Sequence, residues 1–280
     1  MATKKEPTPK IGITEAGDAS LDYSWVDKAP KMNMMILITK NITDEFIDKV
    51  MYFADKTIVH ATCTGYGGTI MEPGVPKWQE QLEQIRKLIA YGFPAEQIVV
   101  RIDPIIPTEK ACARIEQIVE AIHRDVKRFR VSVLDNYAHV QKRFADAGLP
   151  ILYDGAFQAP DSDFERVNLM LSRLKFRFPG ITFESCAEPK LTHAEQIGCV
   201  CAQDMERFGL KAPKTKKGNR NGCLCASGKV EMLPFNHFKF CEASFAPATG
   251  KCELNDSCAS CEHCTVYGCS NMCLYCYWKS

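Results

Sequence analysis

From Met34 onward, short β-branched or apolar runs alternate with amphipathic helical stripes, and this alternation constrains the fold more than any other feature of the chain. The run Met34 to Thr39 is followed by Thr43-Asp44-Glu45, a helix start, and by Phe46, Ile47, Val50 and Met51 at helical spacing. Thr57 to Thr62 reads as a strand, and Pro76 opens a helix whose stripe is Trp78, Leu82, Ile85 and Ile89. Gln97 to Asp103 is the third strand, with Ile115, Ile118, Val119, Ile122 and Val126 on the helix beyond Thr108. Phe129 to Asp135 is the fourth, before a helix carrying Val140 and Phe144 that stops at Gly148. A short fifth run, Pro150 to Tyr153, precedes a capping box at Ser162 and Glu165. The sixth, Ile181 to Ser185, precedes a second box at Thr192 and Glu195. Six consecutive βα units predict an α/β fold with a parallel sheet, and a TIM-like (β/α)6 partial barrel is favoured over an open doubly wound sheet.

Three segments follow from this pattern. Residues 1–30 form an irregular lead-in, residues 31–209 the barrel, and residues 210–280 a cysteine-rich segment whose order is expected to come from bound metal. The chain is 46% hydrophobic and 25% charged, enough to bury a core. Thirty-five Lys and Arg against 34 Asp and Glu leave a net charge of +1, which gives no global attraction to nucleic acid or an anionic membrane. With a polar start and no apolar run of membrane-spanning length, a cytoplasmic protein without membrane contact is expected.

Fifteen cysteines are several times ordinary usage, and thirteen of them lie at or after Cys186. An odd number in a long, well-patterned chain fits reduced thiolates held for metal better than a disulfide framework. At the end of the chain stand Cys269, Cys273 and Cys276, spaced C-x3-C-x2-C, with Tyr275 before the last. Three thiolates in a tight loop can hold three irons of a [4Fe-4S] cube and leave the fourth iron open. Structural zinc wants four closed ligands and fits the triad less well. Cys252, Cys258, Cys261 and Cys264 supply four more thiolates, enough for an auxiliary cluster. A different partition draws on Cys223, Cys225 or Cys241, with Cys199 and Cys201 also available, and a structural zinc in any tetrad is the plainer alternative. Cys63 and Cys112 fall in strand and helix patterns and are expected in the core, as is His60.

The C-x3-C-x-aromatic-C pattern of Cys269, Cys273, Tyr275 and Cys276 resembles the motif of the radical S-adenosylmethionine superfamily. Further segments, among them Thr64-Gly65-Tyr66-Gly67, Glu72-Pro73-Gly74, Arg101-Ile-Asp103-Pro104, Ser132 to Tyr137, Cys186-Ala-Glu188 and Cys223-Leu-Cys225, resemble a family termed domain of unknown function 1848, distantly similar to spore photoproduct lyase. The resemblance implies a cluster on Cys269, Cys273 and Cys276 that reduces S-adenosylmethionine and releases a 5'-deoxyadenosyl radical. It also implies a permuted arrangement, in which the C-terminal tail reaches the barrel mouth. Since parallel barrels gather their chemistry at the strand ends, Gly65, Tyr66 and Gly67 would approach the cofactor, and Arg101, which with Asp103 flanks the end of the third strand, would pair with the cofactor carboxylate; Ser132, Asp135 and Tyr137 would reach ribose or substrate, and Glu184 and Glu188 would point into the mouth. The plain alternatives are a tight turn, an Arg101-Asp103 ion pair that ties strands together, Asp135 as a helix cap, and a surface-facing alternation for Glu184 and Glu188.

The expected function is therefore a radical S-adenosylmethionine enzyme with two [4Fe-4S] clusters and an electron donor such as flavodoxin or ferredoxin. Its substrate is a small molecule or nucleotide, left open by the sequence; nucleic acid itself is not supported by the net charge. The alternative is a non-catalytic zinc or iron-sulfur protein that binds nucleic acid or carries electrons.

Overall fold

Among the described residues, eight strands hydrogen-bond in parallel, and seven of them follow the chain order across the sheet. A computed structural model describes residues 8–15, 17–212, 224, 230–234 and 269–276. The strands are β1 (Lys10–Ile13), β2 (Met34–Thr39), β3 (Thr57–Thr62), β4 (Ile98–Ile105), β5 (Arg128–Val133), β6 (Thr182–Ser185), β7 (Glu195–Gln196) and β8 (Glu231–Pro234). Their order is β7-β6-β5-β4-β3-β2-β1-β8. From β1 to β7 each strand lies beside its predecessor, so right-handed crossovers bring every connecting helix to the same face. That single winding direction separates this sheet from a doubly wound one, whose order reverses at a switch point. The result is an α/β fold consistent with a partial barrel.

Strand periodicity sorts the side chains into two layers. Met35, Leu37, Val59, Ala61, Val100, Ile102, Phe129, Val131 and Phe183 face the helices α2 (Asp44–Met51), α3 (Trp78–Ala90), α4 (Glu109–Ile122) and α6 (Asp161–Arg177) in the main core. Cys63 and Cys112 lie in this core, as expected. On the inner face, Ile11, Ile13, Met34, Ile36 and Ile38 pack against Val200, Leu224, Val230 and Met205 of α7 (Ala202–Arg207). Thr43 and Thr108 cap α2 and α4 through their side chains, accepting from Phe46 N and Ala111 N.

Several expectations need correction. The lead-in is not irregular: β1 pairs with β2 and β8, and α1 (Trp25–Lys28) buries Trp25, whose Nε1 donates to the Ala19 carbonyl at 2.9 Å. Four residues with one Gly are too short for periodicity to reveal a strand. The run Pro150 to Tyr153 forms no strand; Tyr153 and Asp154 take left-handed backbone conformations in a 3-10 turn, Leu152–Gly155. Helix α6 starts at Asp161 without a side-chain cap, so the Ser162-Glu165 box is not used. Thr192 opens no helix either, because Glu195 enters β7 beside Glu184. Among the described residues, the six-unit count therefore becomes eight parallel strands. Among the described residues, no helix is long and apolar enough to cross a membrane.

Candidate functional site

The C-terminal cysteine loop is seated on the carboxyl ends of the strands, at the end of the sheet where parallel α/β folds gather their chemistry. Residues 269–276 pack through Cys273 and Tyr275 against Met71, Val75, Ile106, Leu134 and two residues of α5 (Ala138–Asp146), Val140 and Phe144. Main-chain bonds fix it there: Leu274 N donates to the Met71 carbonyl at 3.1 Å and Gly74 N to the Asn271 carbonyl at 3.4 Å. Position 74 has to be glycine, because a Cβ there would stand 1.8 Å from the Ser270 carbonyl oxygen. Arg143 Nη2 donates to the Cys276 carbonyl at 2.5 Å.

Two polar anchors hold the same loop. Asp18 is 2% exposed and accepts from Ser20 N at 2.9 Å, Thr39 Oγ1 at 2.7 Å, Lys40 N at 2.8 Å and Asn271 Nδ2 at 2.8 Å. One carboxylate thus ties the lead-in, the end of β2 and the cysteine loop together. In the second anchor, Lys40 Nζ donates to Glu72 Oε1 and to the Tyr275 hydroxyl, both at 2.7 Å, and the Tyr275 hydroxyl also donates to Glu72 Oε1. Burial alone would push the Lys40 ammonium down, but the Glu72 carboxylate holds it above its ordinary range. Glu72 is fully buried, and its Oε2 has no hydrogen-bond partner among the described residues.

Cys269 and Cys276 stand close enough to Cys273 that it feels both, together with Lys40 and Glu72. Burial pushes the Cys273 thiol up to about 12, so it stays protonated at neutral pH unless a metal displaces the proton. Among the described residues, no three His, Cys, Asp or Glu side chains converge on a single ion. A [4Fe-4S] cube takes its thiolates on separate irons, whereas structural zinc takes four ligands on one ion.

The other expected site residues are distributed around this mouth. Tyr66 lies 6.4 Å from Tyr275, ring to ring, and its hydroxyl accepts from Ile106 N at 3.3 Å. Gly65 takes φ +82°, and its carbonyl accepts from Arg114 Nη1 at 2.8 Å; Gly67 bridges to Glu72. Arg101 and Asp103 pair with each other along β4, each side chain 23% exposed. The pair joins positions on one strand and does not tie two strands together.

Ser132 Oγ and Val133 N both donate to Glu188 Oε1, the latter at 2.9 Å. Burial, then the nearby Asp103 and Asp135 carboxylates, push the Glu188 carboxyl up to about 7. Asp135 is raised by burial and by Asp103, and it does not cap α5, which has no side-chain cap. Glu184 lies deeper, 1% exposed, where it accepts from Arg128 and Arg130 inside the barrel. Cys252, Cys258, Cys261, Cys264, Cys223, Cys225 and Cys241 lie outside the described residues.

Sequence reasoning missed Asp18, Lys40, Asn271, Arg128, Arg130 and Asp204. Lys40 had a signal, because it follows directly on the apolar run of β2, where a strand end meets the mouth. Asn271 had another, since it lies inside the C-x3-C spacing. Asp18 had none, being a polar residue in a segment with no periodicity.

The class defined so far is a singly wound parallel α/β protein with a cysteine loop docked over its strand ends. A family model described as Domain of unknown function (DUF1848) matches residues 22–230, and the chain belongs to that family. The match ends before Cys269, and Asp18 precedes it. No curated protein matches the chain.

Proposed function

We propose that this protein is a radical S-adenosylmethionine enzyme, with Cys269, Cys273 and Cys276 as the ligands of a [4Fe-4S] cluster. The observation that carries the reading is the docking of those three thiols over the strand ends, through Asp18 and Asn271 on one side and Lys40, Glu72 and Tyr275 on the other. A permuted radical enzyme needs its tail to reach the mouth, and these contacts supply that reach. The bound cluster would supply the electron that splits S-adenosylmethionine into methionine and a 5'-deoxyadenosyl radical.

The chain's own contribution is placement. Gly74 leaves room for the loop main chain, Met71 and Asn271 fix its register, and the apolar packing around Cys273 and Tyr275 keeps water from the Cys273 thiol. Glu72 holds the Lys40 ammonium near Cys273, where its charge partly offsets the burial and the Glu72 carboxylate that keep the thiol protonated. S-adenosylmethionine and substrate would lie toward the strand ends, near Arg101 and Asp103 of β4, Ser132 of β5, Asp135 and Glu188. The partial barrel, the auxiliary cluster on the cysteines before Cys269, and an electron donor of the flavodoxin or ferredoxin type complete the reading.

The test is Cys273→Ala in anaerobically purified protein. Reductive cleavage of S-adenosylmethionine should vanish while thermal unfolding of the barrel keeps its midpoint. Retained cleavage, or a wild-type protein containing zinc and no iron, overturns the proposal in favour of a metal-stabilised binding protein.

A further inference from the structure

The inner face of β3, β4 and β5 carries four basic side chains where a barrel interior would ordinarily be apolar. Thr62 is in register with Arg101, and Arg101 with Arg130; one layer deeper, His60 is in register with Val99, and Val99 with Arg128. Their outward neighbours Val100, Ile102, Phe129 and Val131 are core residues, so strand alternation places all four basic groups together inside.

Like charges on neighbouring strands destabilise a sheet unless they are compensated. Compensation is uneven here. Arg128 is filled from both sides, by Glu184 at 2.7 Å and 3.3 Å and by Asp204 at 2.7 Å and 3.3 Å. Arg101 has Asp103. Arg130 has one bond, from Nη2 to a Glu184 carboxylate already shared with Arg128.

The remaining edge of Arg130 is unused. The residue is 4% exposed, and its Nε and Nη1, which carry three N–H hydrogens between them, have no acceptor among the described residues. His60, 1% exposed, likewise has no partner at Nε2. Burial, then the charges of Arg130, Arg101 and Arg128, hold its imidazole well below the usual range, so it is neutral and able to donate. A buried donor without an acceptor costs about 1–3 kcal/mol, and more when the donor is charged. A fold that keeps several side by side is organised around an acceptor. A guanidinium edge matches the oxygen spacing of a carboxylate or phosphate.

We propose that Arg130 and His60 form an oxyanion-recognition point inside the barrel, which takes a carboxylate or phosphate group of the molecule the barrel acts on. Ser132 stands two residues beyond Arg130 on β5, and Asp103 two beyond Arg101 on β4, so the strands run from this point toward the mouth where the cysteine loop is docked. The proposal names the substrate class for the enzyme reading above. Its test requires neither iron nor S-adenosylmethionine, so the two stand or fall separately.

Full-length wild-type protein is melted in increasing inorganic phosphate, in increasing formate, and in chloride at matched ionic strength. A saturable rise in midpoint with phosphate or formate and none with chloride is expected; phosphate alone assigns a phosphoryl group, and formate as well assigns a carboxylate. Arg130→Lys keeps a cation for Glu184 but lacks the Nε and Nη1 edge, and should weaken anion binding about tenfold or more. If that variant fails to fold, His60→Leu, which should weaken binding severalfold, replaces it. No saturable shift in the wild type, as when ordered water satisfies these donors, overturns the proposal. So does an undiminished shift in the variant that folds.

Discussion

The side-chain amide of Asn271 donates to the carboxylate of Asp18 at 2.8 Å, joining the cysteine loop to a residue 253 positions earlier. The same carboxylate serves the main-chain N–H groups of Ser20 and Lys40 and the Thr39 hydroxyl. Asp18→Ala strands several buried donors and should destabilise the fold by about 2–4 kcal/mol, read from urea unfolding. Asn271→Ala removes the loop contact alone and should cost about 1 kcal/mol or less. Equal losses in the two variants would show that Asp18 does not organise the strand ends.

Gly74→Ala sets a methyl group against the Ser270 carbonyl, where neither backbone can yield without moving the loop. In iron-free protein the buried Cys273 thiol should react with iodoacetamide far more slowly than an exposed cysteine. The substitution should raise its alkylation rate by about tenfold or more, as followed by peptide mass spectrometry. An unchanged rate would mean that the loop does not depend on this close approach.

Glu188 should leave a pH signature. Its folded-state pKa of about 7 lies above the ordinary carboxyl range, so the folded protein binds the proton more tightly than the unfolded chain does. The associated stability is fully present below about pH 4.5 and is lost as pH rises through about 7. Between pH 5 and pH 8 the wild type should therefore lose stability relative to Glu188→Gln, whose curve lacks this component. Parallel curves would contradict the shift.

The Arg128 network is a structural commitment of the barrel interior. Burial opposes its charge, but Asp204 and Glu184 hold the guanidinium firmly protonated. Arg128→Ala leaves two buried carboxylates without their shared cation and should cost about 3–5 kcal/mol. Arg173→Ala, at a pair with Glu116 in which Arg173 is half exposed, should cost under about 1 kcal/mol. Similar losses at both positions would indicate that water reaches the interior pair.

The central sheet was legible because strands buried on both faces read as apolar runs and their helices carry clean stripes: Met34 to Thr39, Thr57 to Thr62 and the stripe from Ile115 to Ile122 all formed as the spacing implies. What escaped was short or non-local. Strand β1 has four residues, β7 two, and both owe their extended form to a neighbouring strand. Pro150 to Tyr153 has the composition of a strand but no free edge to pair with, since β6 already occupies the place beside β5. In the site, cysteine spacing marked Cys269, Cys273 and Cys276. Asp18, which seats the loop, is set by a contact across 253 positions, for which local pattern carries no signal. Glu184 illustrates the reverse: a carboxylate in a strand pattern reads as a mouth residue, yet Arg128 and Arg130 draw it into the interior.

The most direct measurement is an electron paramagnetic resonance spectrum of anaerobically reduced full-length protein, taken with and without S-adenosylmethionine. A [4Fe-4S] signal that changes on addition of S-adenosylmethionine, and that is lost in Cys273→Ala, is the predicted result, because only a cluster with an open iron can bind the added molecule. A spectrum indifferent to S-adenosylmethionine would mean that every iron is fully ligated and the protein is not a radical enzyme. Protein holding zinc and no iron would contradict the account altogether.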